Sequence, residues 1–129
     1  MHNPETSIIA TLSVKNGKAA LAFYRNAFDA VELMSVDSPE GLIVAELAIG
    51  NAHFFIADES PAHGNICPET AGGVTARMGL FVNDPDAVAA KAVAAGASLL
   101  YPVADQSYGY RLGAVKDPFG HVWEIARKL

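Results

Sequence analysis

The chain holds one cysteine, Cys67, so no disulfide can close within it. That thiol lies in a stretch rich in Pro and Gly, with no histidine in a motif beside it, which argues against a nucleophile. No apolar run approaches the ~20 residues of a membrane-spanning helix. Basic residues are few: nine Lys and Arg stand against fourteen Asp and Glu, for a net charge of −5. No basic run is present, which argues against a nucleic-acid partner. A Gly-rich phosphate loop, a Ser-His-Asp order and a CxxC pair are all missing. One free thiol and no signal-peptide pattern lead to the expectation of a cytoplasmic protein. What is there is apolar and soluble in profile, with 51% hydrophobic and 18% charged residues over 129 positions. That length makes one domain, or two half-domains sharing a core, and needs neither disulfide nor metal for stability.

The order of elements repeats. Ile8 to Val14 reads as a strand, and Asn16-Gly17 opens a helix from Lys18 to Asp29 with Ala20, Leu21, Tyr24, Ala27 and Phe28 on one stripe. Three short strands follow, at Val31 to Val36, Leu42 to Ile49 and Ala52 to Asp58, and Gly50-Asn51 fits a tight hairpin between the last two. After a linker rich in Pro, Gly, Asn and Thr, Arg77 to Val82 is a strand and Asp84-Pro85 starts a helix that stops at Gly96. Strands come again at Ser98 to Pro102, Arg111 to Lys116 and His121 to Arg127. The reading is an α+β fold of two β-α-β-β-β modules, residues 8–58 and 76–127, joined by a linker over 59–75, all within one domain. One helix covers only one face of a four-stranded sheet. The other face must be buried against a second sheet or curve around a ligand, so paired modules make a cleft between open faces.

The last strand carries the sharpest signal. Asp117-Pro118-Phe119-Gly120 is a turn, and the strand after it alternates. Trp123 and Ile125 point one way; Val122, Glu124 and Ala126 point the other. Glu124 therefore sits among small apolar neighbours, where an acid needs a metal, a cation or a proton.

These features resemble the vicinal oxygen chelate superfamily, which includes glyoxalase I, extradiol dioxygenases, and fosfomycin- and bleomycin-resistance proteins. The resemblance is carried by Ala20, Ala22, Phe23, Tyr24 and Phe28 in the first helix, Gly109 and Arg111 before the seventh strand, and Asp117-Pro118-Phe119-Gly120-His121 with Trp123 at the end. It is similar to the PhnB-like branch. It implies a glyoxalase-like curved mixed sheet around a cleft, and a homodimer whose modules pair within a chain or are exchanged between chains.

The resemblance also implies metal-ligand positions, which fall here at Ile9, Phe55, Arg77 and Glu124. Of these only Glu124 can bind a divalent metal. Isoleucine and phenylalanine have no donor atom, and a guanidinium repels cations. His53, two residues before Phe55 on the same face, is the one substitute. A transition-metal centre needs about three protein ligands, so neither metal nor other cofactor is expected. Instead Arg77 supplies the positive charge, and a buried Arg77–Glu124 pair is expected, with Arg111 the other candidate partner.

The expected ligand-binding residues are Ile9, Thr11, His53 and Phe55 on the first module, and Arg77, Phe81, Tyr110, Arg111 and Glu124 on the second. Tyr101 and Tyr108 are further wall candidates; His121, His63 and His2 are weaker ones. The favoured function is a metal-free protein that binds a small, partly apolar molecule in the cleft. The net charge fits a cationic ligand, whereas Arg77 selects for a carboxylate or phosphate group. The alternative is a glyoxalase-like lyase or isomerase that uses Glu124 as metal ligand or as general base, the candidate catalytic residue.

Overall fold

A computed structural model describes residues 5–129; His2 lies outside them. The first module runs β1 (Thr11–Val14), α1 (Gly17–Phe28), β2 (Val31–Asp37), β3 (Ile43–Ile49) and β4 (Ala52–Asp58). The second runs β5 (Met78–Phe81), α3 (Pro85–Ala94), β6 (Ser98–Asp105), β7 (Tyr110–Lys116) and β8 (Val122–Lys128). Between them a 3-10 turn (Pro61–His63) and a short helix α2 (Pro68–Ala71) occupy the segment the sequence marked as linker. Each module is a four-stranded mixed sheet, in the orders β1-β4-β3-β2 and β5-β8-β7-β6. The outer pairs β1–β4 and β5–β8 are parallel, as a helical crossover requires.

Local chemistry sets the boundaries. Asn16 caps α1 by accepting from the Ala19 N–H at 3.1 Å, and Asp84 caps α3 by accepting from Ala87 at 3.1 Å. Gly113 is required by close approach, because a Cβ there would lie 2.6 Å from the backbone nitrogen of Val103. Two boundaries differ from the sequence reading by more than one residue. β1 begins at Thr11, leaving Ile8 and Ile9 exposed before it. β6 continues past Pro102 to Asp105 because bulges between Leu99 and Tyr101 and between Tyr101 and Ala104 carry it round the proline.

The registers separate two kinds of face. In β4, Phe54 and Ile56 are buried under α1, while His53 and Phe55 point to the other side. In β8, Trp123 and Ile125 are buried and Glu124 points to the other side. The helix-covered faces share one core. Trp123 lies 5.5 Å from the Phe54 ring, 5.6 Å from Tyr24 and 4.8 Å from Phe28, and α1 packs against α3. Asp117, in the β7–β8 turn, is a buried carboxylate at this junction. It accepts from Tyr24 Oη at 2.5 Å, Trp123 Nε1 at 2.9 Å, and the Phe119 and His121 amides. Burial and the adjacent carboxylate push the Tyr24 phenol well above its usual pKa, so it stays a donor. With the helix sides turned inward, the two open faces turn outward from the chain, not toward one another.

Candidate functional site

The open face of the second module carries the polar cluster. Gly79 pairs with Glu124 and Ala114 pairs with Glu124 from the other side, which sets Glu124 in mid-sheet. Arg77 Nε lies 3.2 Å from Glu124 Oε1. Tyr101, opposite Ala114 on β6, donates its hydroxyl to Glu124 Oε2 at 3.1 Å. Burial first, then this bond to a carboxylate, raises the Tyr101 pKa and keeps the phenol protonated. Each Glu124 oxygen therefore has a donor. Aromatic rings flank the cluster: Phe81 and Tyr110 meet edge to face at 5.7 Å, and Tyr108 lies 6.2 Å from Tyr110.

The expected Arg77–Glu124 pair forms, but not in a buried setting. The side chains are 61% and 25% exposed, because nothing in the same chain lies over this face.

Arg111 requires a correction. It is one residue out of phase with Tyr110 and Leu112, so the period-two alternation turns it to the helix side. There its Nε and Nη2 grip both carboxylate oxygens of Asp86, in the first turn of α3, at 2.8 and 2.7 Å, and Nη1 reaches Asp105 at 3.0 Å. These bonds raise the Arg111 pKa further and lower that of Asp86. Arg111 ties α3 to its sheet and has no part in the open face.

The first module's open face is mostly apolar. Val31, Met34 and Val36 of β2 pair with Ala48, Glu46 and Val44 of β3 on this side, while Glu32, Ser35 and Asp37 face the other way. Thr11 pairs with Phe55, the register that corresponds to Gly79 with Glu124 in the second module. Ile9 and Arg77, two residues before Thr11 and Gly79, are thus equivalent, as are Phe55 and Glu124. The sequence reading missed Glu46. It lies opposite Phe55, and its Oε2 is 2.9 Å from His53 Nδ1.

His121 is structural: its Nε2 bonds the Ser13 carbonyl at 2.8 Å and joins β8 to β1. His63 Nδ1 bonds the Ser60 hydroxyl at 2.7 Å in the linker. Two cavities lie beside the cluster, not on it. One of about 690 Å³ is lined by Lys15, Leu100, Lys116, Phe119 and Val122 with part of the linker; one of about 440 Å³ lies between β1, the linker and His121.

A model of the Glyoxalase/Bleomycin resistance protein/Dioxygenase superfamily matches residues 8–125. The chain belongs to this superfamily. It is 37% identical over 131 aligned residues to an uncharacterized protein of Mycobacterium bovis, covering 98% of this chain and 86% of that one. The crystal structure of TioX from a Micromonospora species superimposes with a TM-score of 0.74 at 27% identity, covering 96% of this chain and all of that one. The fosfomycin resistance protein FosX from Listeria monocytogenes has the same fold, with a TM-score of 0.76 at 17% identity, covering 98% and 96% of the two chains.

Many members of such a fold hold a metal, so the donor set decides whether this one fits. At the four positions where the resemblance places ligands, this chain has one carboxylate, two hydrocarbon side chains and a guanidinium already bound to that carboxylate. Among the described residues no group of three or more His, Cys, Asp or Glu is placed to hold an ion. These positions do not fit a three-ligand centre. No described helix is long and apolar enough to cross a membrane.

Proposed function

We propose that this superfamily member is a metal-free small-molecule binding protein. Its cleft is made by the first module of one copy and the second module of another. The observation that carries the reading is Arg77 bound to Glu124 at 3.2 Å, where the metal-binding pattern would place two ligands. A fixed cation stands in for the ion, among apolar and aromatic walls. The exchange between copies is supported by the helix-side core, which turns the two open faces away from each other, and by the unpaired edges of β1 and β5. A closed cleft would cover Phe81, 61% exposed in the single chain, and the apolar side of β2.

The ligand is partly apolar and carries a carboxylate or phosphate, the groups a preformed Arg holds with two bonds. Phe55, Phe81 and Tyr110 supply its apolar contacts, with Thr11 and Ile9 at the rim. Within the superfamily the Asp117-to-Trp123 motif and the α1 aromatics favour the PhnB-like branch. FosX, which shares the fold, is named for resistance to an antibiotic, in line with a small-molecule role. The test is a thermal-shift screen of natural products and antibiotics with and without an acidic group. Acidic hits whose stabilisation disappears in Arg77→Met support the reading. Hits that need added zinc, manganese or nickel contradict it.

A further inference from the structure

We propose that His53 and Glu46 form a proton-transfer pair in this cleft, acting on a small 2-oxo acid with a hydrogen on the carbon beside its carbonyl. The proposal rests on the exchanged cleft described above. His53 and Glu46 lie on adjacent antiparallel strands, diagonal to one another and two register positions apart, and both point to the open face. Nδ1 of the imidazole is taken by Glu46 Oε2 at 2.9 Å. That leaves Nε2 as the free nitrogen on the open side. Among the described residues Glu46 has no ion-pair partner but this histidine, and its strand neighbours on the face are Val44 and Ala48. A carboxylate that holds one ring nitrogen fixes the tautomer with hydrogen on Nδ1 and makes Nε2 the base.

The opposite wall of the cleft would bring what such a base needs. Arg77 would bind the substrate carboxylate, and the guanidinium N–H groups not used on Glu124 would face the negative charge that develops on the carbonyl oxygen. Phe55 and Phe81 hold the apolar remainder. The step balances without another reactant. Nε2 takes the proton from carbon; the C–H electrons form a carbon–carbon double bond, and the carbonyl π electrons move to oxygen. The imidazolium then returns its proton to that oxygen, giving the enol, or to carbon, giving back the ketone.

Phenylpyruvate is the probe, because it joins a carboxylate, a carbonyl, an acidic CH₂ and a ring. Its binding is measured by calorimetry and its C3 hydrogen–deuterium exchange by NMR in D₂O. Wild-type protein should exchange C3 faster than the same concentration of imidazole. His53→Gln should lose about 100-fold in rate with binding retained, and Arg77→Met should weaken binding about tenfold. Mixing these two variants under subunit exchange should restore part of the rate, since each mixed dimer keeps one intact cleft. If phenylpyruvate binds but His53→Gln exchanges it at the wild-type rate, or if wild type does no better than imidazole, the proton-transfer pair is overturned and the binding cleft stands. If the mixture restores nothing while both variants are dimers, the exchanged cleft itself is overturned. If wild type does not bind phenylpyruvate, the substrate class is wrong.

Discussion

Arg77 and Tyr24 make opposite demands on the chain. The Arg77–Glu124 pair lies on an open face, and an exposed ion pair adds about 0–1 kcal/mol. Arg77→Met should therefore leave urea stability of the separated chain within about 1 kcal/mol of wild type, while removing the response to acidic ligands. A loss of several kcal/mol would mean the pair is buried after all. Tyr24 is fully buried and donates to Asp117 across the two modules. Tyr24→Phe keeps the ring and drops one donor from a buried carboxylate, which should cost about 1–3 kcal/mol in denaturant unfolding. Glu124 and Arg77 were legible because strand alternation and the module repeat place them without knowledge of packing. Glu46 was equally derivable: the Gly50-Asn51 hairpin sets Ala48 opposite His53 and Glu46 opposite Phe55. The burial of the Arg77–Glu124 pair was not legible, since alternation gives a face and says nothing of what covers it.

At the level of elements, β2 shows how a strand can look buried in sequence and lie exposed in a single chain. Its apolar residues fall on the open face and its acids on the other, so every residue of β2 is exposed here. Val36→Asp should leave the helix-side core intact and weaken the cleft or its closure, read as a loss of ligand-induced melting shift with an unchanged far-ultraviolet spectrum. The linker hid more order than its composition showed. Glu59 accepts from the Cys67 amide at 3.0 Å, from Thr70 at 3.1 Å and from Lys15 at 3.2 Å, fastening α2 to the end of β4. Chiefly through the amide bond, these contacts lower the Glu59 pKa from 4.5 to about 2. A depressed acid stabilises the fold above its unfolded pKa, and that contribution fades as pH falls through the folded value. The melting temperature of wild type should thus drop between pH 4.5 and about 2, and Glu59→Gln should flatten that part of the curve. An identical slope in the variant would remove Glu59 from the account. No sequence spacing announces such contacts, which join residues far apart in the chain.

The whole molecule is two modules back to back, with open faces outward and four edge strands, β1, β2, β5 and β6. The repeat was readable from periodicity and turn residues, and the superfamily from the resemblance of the α1 aromatics and the Asp117-to-Trp123 motif; the strand orders within the sheets come from the structure. Which sides of the sheets meet was not, because it depends on Trp123 reaching Phe54 and Tyr24 across the module boundary. That arrangement makes a second copy part of the proposed site. Native mass spectrometry of the purified protein tests dimer and metal content together. The account predicts a species of twice the 13.5 kDa chain mass with no added transition metal. A 13.5 kDa monomer at micromolar concentration, or a dimer that carries one metal per chain and loses it on Glu124→Gln, would contradict it.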